Sequence, residues 1–404
     1  MKSAHAIPVT ILSGFLGSGK STLLNDFLKQ PDTSDTAVVV NEFGDIAIDH
    51  DLIQTGQREM MVTTTGCLCC TGGSDVRASL FALHEAAHKQ PSHSFSRVIV
   101  ETTGLADPAP VVNQLIAGGT CAVGYQNQLV AKRFRLTGFV CVVDVTTAEQ
   151  TLQTYFECLK QIAFADRIVL TKTDLARDGK AELDMRGLLE QIVEINPTAE
   201  IVDRHGSAFD IKALFSRRVF ALAERGPDVE SWLAFEQVLA AQRPHGASGP
   251  NTNRHAGRVR TFSLVEDEPI APERFADFLA LLRAIAGDHV LRMKGLVALS
   301  DDPARPLVAH AVQHVIYPPL QLERWPSKDH RTRLVLITRD LARETVQDLF
   351  AAVAGARKPA RKRATLVLGA VAAGLIAAGA LLAVATHVSA RHGTPVPQRM
   401  EQSR

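Results

Sequence analysis

The sequence lacks an excess of charge of either sign. Lys and Arg number 44 and Asp and Glu number 43 among 404 residues, which leaves a net charge of +1. A nearly neutral chain has no overall attraction for a polyanion, so we predict that nucleic acid is not a partner. The length is sufficient for two ordinary domains with attached segments.

Cysteine is also scarce, with six residues, three of which are crowded together as Cys67, Cys69 and Cys70. This is not the evenly spread pattern of a secreted protein held by disulfides. Only Lys2 precedes an N-terminal apolar run that is typical of a strand, so we expect no cleaved signal peptide. These features favour a reducing compartment.

The strongest motif is a glycine-rich segment, GFLGSGKST, at residues 14–22. It follows an apolar β-branched run and precedes a helical pattern, which is the context that a phosphate-binding loop requires. Lys20 is expected to reach the β- and γ-phosphates of a nucleotide, and Ser21 to ligate Mg²⁺. The residues predicted to bind the nucleotide here are Gly14, Gly17, Ser18, Gly19, Lys20, Ser21 and Thr22.

Short β-rich runs alternate with helical patterns from residue 7 to about 220, which predicts an α/β fold with a mostly parallel sheet. Several runs are almost entirely Val, Ile and Leu, as expected for strands covered on both faces. Ligands in such sheets lie beyond the carboxyl ends of the strands. The predicted strands are Ile7–Ser13, Thr36–Asn41, Met60–Thr64, Arg97–Glu101, Gly138–Asp144, Arg167–Leu170 and Ala199–Val202.

Two further segments at strand ends complete a predicted nucleotide site. Thr171, Lys172 and Asp174 follow a strand where a base would bind, and a carboxylate there can accept two hydrogen bonds from guanine, which points to GTP. Glu101 ends another strand and is expected to hold Mg²⁺ through water, with Gly104 near the γ-phosphate. The predicted catalytic residues are Lys20, Ser21 and Glu101.

The crowded cysteines predict a metal site. Three thiols within four residues can converge on one soft or borderline ion such as Zn²⁺ or Cu⁺. Glu42, at the end of a neighbouring predicted strand, could be a fourth ligand to the ion held by Cys67, Cys69 and Cys70, or a receiving protein could supply one. The alternatives are three small buried residues or a redox pair.

The C-terminal half predicts a second domain and a membrane segment. Residues 221–257 are rich in Gly, Pro, Asn and His and predict a linker, and 258–355 alternate strand and helix patterns as an α+β domain. A basic segment, 356–363, precedes an uncharged stretch, 364–388, that is about 37 Å long as a helix and could cross a hydrocarbon core of about 30 Å. A short tail, 389–404, follows.

The flanking charges give the expected orientation of that stretch. The basic residues before it place residues 1–355 on the cytoplasmic face, so we predict a single-pass membrane protein with both domains cytoplasmic. The alternative is an alanine-rich helix buried in a protein core. Small residues four apart, such as Ala370 and Gly374, would let two such helices pack closely. A second copy of the chain, forming a homodimer, is therefore one expected partner.

The motifs resemble those of the CobW-like metallochaperone GTPases, which are related to the GTPases that insert nickel into hydrogenase and urease. The resemblance rests on the phosphate loop, Asn41-Glu42-Phe43-Gly44, Gly66-Cys67-x-Cys69-Cys70, residues 101–108 (ETTGLADP), residues 161–166 (QIAFAD), residues 171–174 (TKTD) and Arg292-x-Lys294-Gly295. It implies a P-loop GTPase that binds Zn²⁺ or a similar divalent ion at the cysteine motif. It also implies coupling of GTP hydrolysis to metal transfer and a C-terminal domain that contacts a client metalloprotein.

Three features depart from the pattern of that family. Thr171 stands where GTPases generally have Asn, the linker has only His245 and His255 where many relatives have a histidine-rich run, and the membrane segment is additional. Arg292 and Lys294 are interpreted as a basic strand face for an acidic client, or equally as a solvated strand face.

The sequence leaves two rival functions open. We expect slow hydrolysis without a partner, because no catalytic arginine or water-positioning glutamine is evident. One alternative is a membrane-tethered nucleotide-dependent switch or scaffold without metal transfer. The other is cobalt handling in cobalamin synthesis, with Co²⁺ in place of Zn²⁺.

Overall fold

The structure is a computed structural model that describes most of the two predicted domains. The linker, the cysteine motif and everything after residue 354 lie outside the described residues. The described residues are 6–31, 33–40, 62–64, 76–89, 94–116, 124–177, 184–216, 259–287, 289–313, 315–317 and 319–354.

The first sheet has seven strands, all paired in parallel, in the order β3-β2-β4-β1-β5-β6-β7. Val, Ile and Leu fill its centre and are buried on both faces, because helices cover both sides. Its strands are β1 (Ile7–Gly14), β2 (Thr36–Val40), β3 (Val62–Thr64), β4 (Arg97–Glu101), β5 (Phe134–Asp144), β6 (Arg167–Thr171) and β7 (Glu200–Asp203).

Several helices around this sheet bury an apolar stripe against it. In α1, for example, Leu23, Leu24 and Phe27 are fully buried. The helices are α1 (Lys20–Leu28), α2 (Val76–Lys89), α3 (Pro108–Leu115), α4 (Tyr125–Arg133), α5 (Ala148–Thr154), α6 (Phe156–Phe164), α7 (Thr173–Arg177), α8 (Met185–Ile195) and α9 (Ile211–Ser216).

The predicted parallel α/β sheet is confirmed, with small shifts in strand ends. The strand at Arg97–Glu101 has the predicted bounds, and β5 begins at Phe134, four residues earlier than predicted. The prediction began the strand at Gly138, because a glycine within an apolar run indicates a strand end or a bulge. A register shift does occur beside it, between Val9 and Thr10 of the paired strand.

The second sheet is antiparallel, in the order β11-β10-β9-β13-β8, with β12 paired to β10. Helices α10 (Pro272–Ala286) and α11 (Arg343–Val353) bury Phe278 and Phe350 against each other, with ring centroids 5.0 Å apart. The strands are β8 (Val259–Glu266), β9 (Val290–Val297), β10 (Leu307–Val312), β11 (Val315–Ile316), β12 (Leu320–Gln321) and β13 (Thr332–Arg339).

One apolar run of this domain is divided between two strands. The strand β10 ends at Val312 and pairs antiparallel with β11, which begins at Val315. Gln313 has a positive φ of 50°, which is left-handed backbone and cannot continue a strand.

The two sheets share an apolar core. A single buried cluster contains Phe164 and Ile195 beside the first sheet and Leu291, Val312 and Ile337 of the second. The first sheet therefore packs against the second through α6 and α8.

The prediction of a single-pass membrane protein is corrected. None of the helices in the described part of the chain is long and apolar enough to cross a bilayer. The stretch 364–388 that carried the prediction lies outside the described residues, as do the segments 356–363 and 389–404. An uncharged alanine-rich run has the length that a membrane span requires, but the same length and composition also fit a helix that is buried in a protein core.

Candidate functional site

The candidate nucleotide site begins with the loop that joins β1 to α1. Gly14, Gly17 and Gly19 have positive φ values of 143°, 71° and 92°, which side-chain-bearing residues rarely adopt. A Cβ on Gly14 would lie 2.3 Å from the carbonyl oxygen of Val142, so only glycine lets the loop lie this close to β5. The loop thus has the curled backbone that an anion cradle requires.

Lys20 and Ser18 lie inside this loop. Lys20 is buried, and its Nζ donates hydrogen bonds to the carbonyl oxygens of Gly14 and Phe15 at 2.9 and 3.0 Å. The ammonium group is therefore held over the loop, where a phosphate would meet it. Ser18 Oγ is buried and has no hydrogen-bond partner among the described residues. A bound phosphate would satisfy such a donor. Thr22, by contrast, is exposed at the surface.

Ser21 and Glu101 meet although 80 residues separate them. Ser21 Oγ donates to Glu101 Oε1 at 2.7 Å. Glu101 is 4% exposed and ends β4, in register with Leu12 of β1 and Val40 of β2. Two oxygen donors this close, beside the phosphate loop, form the kind of ligand set that Mg²⁺ prefers.

The segment after Glu101 lies against the phosphate loop. The backbone N–H of Thr102 donates to the Leu12 carbonyl at 2.9 Å, and its Oγ1 donates to Ser13 Oγ at 3.0 Å. A Cβ on Gly104 would lie 2.4 Å from the backbone nitrogen of Leu16. The residues from Gly104 to Asp107, named here the Gly104 segment, therefore cannot move independently of the phosphate loop.

Thr171 contacts the phosphate loop directly. Its Oγ1 lies 2.8 Å from the Ser18 carbonyl and 3.2 Å from the Val143 carbonyl. A single hydroxyl hydrogen is shared between the two acceptors, so Thr171 connects β6 with the loop and with β5. Threonine can thus take a positioning role at the place where GTPases generally have Asn.

The predicted base-binding carboxylate is accessible. The Asp174 side chain is half exposed at the start of α7, and its Oδ1 lies 3.2 Å from His205 Nε2. Lys172 has a positive φ of 60° and forms an ion pair with Asp144 at 2.6 Å. His205 lies two residues beyond β7, and no local pattern in the sequence indicates this contact.

The predicted metal ligands cannot be placed. Glu42, Cys67, Cys69 and Cys70 lie outside the described residues. Within the described ranges, no group of three or more His, Cys, Asp or Glu side chains could hold a metal ion. Cys141 and Cys158 are buried free thiols, and burial raises the pKa of Cys158 to about 12, so neither is a candidate ligand.

The prediction for Arg292 and Lys294 is wrong. Arg292 is 2% exposed and pairs with the buried carboxylate of Asp166, which also accepts from Lys294 Nζ at 2.9 Å. Burial by itself would raise the pKa of Asp166, but the charges of Lys294 and Arg292 lower it well below its ordinary value. These strand residues face the first domain rather than solvent or a client.

A neighbouring histidine belongs to the same buried group. His310 is buried and its ring stacks on Tyr317, with centroids 4.1 Å apart. Burial and the charges of Arg292 and Lys294 lower the pKa of His310 well below its ordinary value, so the imidazole is neutral at pH 7.

Comparisons with known proteins agree with these motifs. The family profile "CobW/HypB/UreG, nucleotide-binding domain" matches residues 8–203, and "Cobalamin synthesis protein cobW C-terminal domain" matches 259–354. The zinc chaperone YjiA of Escherichia coli is 28% identical over 354 residues, covering 88% of this chain and 100% of that protein. The zinc chaperone CobW of a Sinorhizobium species is 30% identical over 326 residues, covering 75% and 84%.

A solved structure has the same fold. The crystal structure of Zn(II)-bound YjiA GTPase from E. coli matches with a TM-score of 0.63 at 20% identity, covering 86% of this chain and 99% of that chain.

Proposed function

The chain belongs to the CobW/HypB/UreG family, and from this premise we propose that it is a zinc metallochaperone that couples GTP hydrolysis to metal transfer to a client protein. Family membership confirms the resemblance predicted from the motifs and the prediction of a GTPase. The names of its relatives as zinc chaperones support Zn²⁺ as the cargo here. We further propose the domain bounds 1–220 and 258–355, joined by the linker 221–257.

The proposal of GTP hydrolysis rests on the 2.7 Å hydrogen bond between Ser21 Oγ and Glu101 Oε1 beside the phosphate loop. In our proposal the loop backbone and Lys20 hold the phosphates, with Gly104 beside the γ-phosphate. Ser21 would hold Mg²⁺ directly and Glu101 would hold it through water, and the ion would neutralise charge on the phosphate oxygens. Asp174 accepts hydrogen bonds from guanine, while Thr171 and Lys172 position the segment that carries it.

Chain connectivity supports communication between the nucleotide and the metal ligands. Val40 lies in register with both Thr64 and Glu101, so the ends of β2, β3 and β4 reach the same sheet edge. Glu42 follows β2 by two residues, and Cys67 follows β3 by three, a span of at most about 11 Å. We propose that Cys67, Cys69 and Cys70, with Glu42 as a possible fourth ligand, bind Zn²⁺ beside the Mg²⁺ position.

Metal and nucleotide titrations test the proposal. We expect purified protein to bind one Zn²⁺ with an affinity that differs between its GTP-analogue and GDP forms, because coupling between two ligands is reciprocal. The triple variant Cys67→Ser, Cys69→Ser, Cys70→Ser should lose this Zn²⁺ and the effect of Zn²⁺ on hydrolysis. Cys158→Ser, at a buried thiol outside the motif, is the matched control. Identical GTP affinity with and without Zn²⁺ would refute the coupling, and preferential Co²⁺ binding would refute zinc as the cargo.

A further inference from the structure

One helix of the first domain contacts both the nucleotide site and the second domain. The helix α6 runs from Phe156 to Phe164, between the Gly104 segment and strand β9. We propose that Gln161 and Arg292 are positioning residues that transmit the nucleotide state through α6 to the C-terminal domain. This inference rests on the proposed GTPase function and adds a path by which the nucleotide state reaches the C-terminal domain.

The first contact joins α6 to the Gly104 segment. Gln161 is 1% exposed, and its Nε2 donates to the carbonyl oxygens of Gly104 and Ala106 at 3.1 and 3.2 Å. On the preceding residue, Lys160 forms an ion pair with Asp107. A movement of the Gly104 segment therefore breaks two hydrogen bonds of a buried amide or moves α6 with it.

The second contact joins the end of α6 to β9. The Arg292 guanidinium donates to the carbonyl oxygens of Phe164 and Ala165, the latter at 2.8 Å, and pairs with Asp166. The last carbonyl groups of a helix have no partner within the helix and favour a positive charge. Arg292 supplies both the donors and the charge, so the end of α6 is attached to the second domain.

A third contact holds the start of the helix. The Arg339 guanidinium, from β13, lies 4.9 Å from the centre of the Phe156 ring. The second domain therefore contacts α6 at both ends, while Gln161 contacts the Gly104 segment between them. Gln161 and Phe164 are three residues apart, which is about 4.5 Å along a helix.

A movement that depends on the nucleotide would start at the Gly104 segment and travel through α6 to β9. Segments next to the γ-phosphate and its Mg²⁺ commonly order with GTP and relax after hydrolysis. The Gly104 segment follows the proposed Mg²⁺ residue Glu101 and is packed on the phosphate loop. Because packed helices shift as rigid units, a displacement there reaches Phe164, and with it Arg292 and β9.

Hydrogen–deuterium exchange of the full-length protein tests the proposal. In the wild type, peptides of β9 should exchange differently when GDP and a non-hydrolysable GTP analogue are bound. In Gln161→Ala that difference should be lost in β9. The ratio of GTP to GDP affinity should also fall by about fivefold or more. In Arg292→Lys, which keeps the charge but not the forked donors, the difference should be lost in β9 and kept at residues 102–107.

Two exposed residues provide matched controls. Gln153→Ala, on the surface of α5, and Arg305→Gln, at an exposed pair with Asp302, should leave the difference unchanged. If Arg292→Lys does not fold, Arg339→Gln at the other end of α6 replaces it.

Two outcomes would overturn the proposal. One is a wild type without a nucleotide-dependent difference in β9. The other is a Gln161→Ala or Arg292→Lys protein that is less stable but keeps the difference. Binding of a fluorescent GTP analogue, measured in parallel, separates these outcomes from a failure of the proposed GTPase itself, in which the wild type would bind no nucleotide.

Discussion

A methyl group added to Gly104 should disturb the phosphate loop without changing any charged group. The φ of Gly104 is not in the left-handed region, so alanine can adopt its backbone conformation. The new Cβ would lie 2.4 Å from the Leu16 nitrogen and 2.7 Å from its Cα, both of which are backbone atoms. A flexible side chain could turn away from the methyl group, but these backbone atoms can separate only if the loop or the Gly104 segment moves.

The required movement sets the expected loss of activity. Ordinary contacts begin near 3.4 Å, so the two segments must separate by about 1 Å. A misplacement of that size can cost about 10²-fold in rate, which corresponds to roughly 2.7 kcal/mol of transition-state stabilisation. We therefore expect kcat/KM for GTP hydrolysis to fall by about two orders of magnitude in Gly104→Ala.

Steady-state phosphate release over a range of GTP concentrations measures this loss. Gly187→Ala is the matched control, because its Cβ would meet only the exposed side chain of Asp184, which caps the start of α8, and no backbone atom of another segment. The control should hydrolyse GTP at the wild-type rate. If Gly104→Ala were as active as Gly187→Ala, the close packing of the Gly104 segment on the phosphate loop would not matter for hydrolysis, and the argument from this contact would fail.

Three more changes test other parts of the site. Thr171→Val removes the hydroxyl that donates to the Ser18 carbonyl, so a buried acceptor loses its donor. We expect the free energy of unfolding in urea to fall by about 1–3 kcal/mol and GTP binding to weaken. His205→Ala should strengthen GTP binding by about two- to fivefold in a fluorescence titration, because the imidazole no longer competes for Asp174. Asp166→Asn should lower the free energy of unfolding at pH 7 by about 3–5 kcal/mol in denaturant titrations, because two cations lose their buried partner.

The difference in stability between the wild type and Asp166→Asn should depend on pH, in the direction given by the pKa shift of Asp166. The folded-state pKa of Asp166 lies below its unfolded value of about 3.9, so its ion pairs stabilise the protein above that pH. That stability is lost as pH falls through the folded pKa. Wild-type stability should therefore fall more steeply below about pH 4 than that of Asp166→Asn, and parallel curves would contradict the assigned ion pairs. Unchanged stability of Thr171→Val, or unchanged GTP affinity of His205→Ala, would likewise contradict those two contacts.

Much of the geometry of the candidate nucleotide site was predictable because its signals are local. The phosphate loop needs only glycines where φ is positive, a lysine and a hydroxyl residue between a strand and a helix. Glu101 and Thr171 could be assigned to strand ends because parallel strands are apolar runs, and parallel strands bring their carboxyl ends to one edge. The contact between Ser21 and Glu101 follows from that geometry.

The sequence determined the glycine-rich loop, the alternation of strands and helices in the first domain and the family resemblance, because each motif consists of residues that are close together in the chain. It misassigned Arg292, whose partner Asp166 is 126 residues away, and the structure alone brought the two together. It also gave a membrane prediction that the described helices do not support. A charged residue on a strand faces either solvent or a neighbouring domain, and only the packing of one sheet against the other decides which.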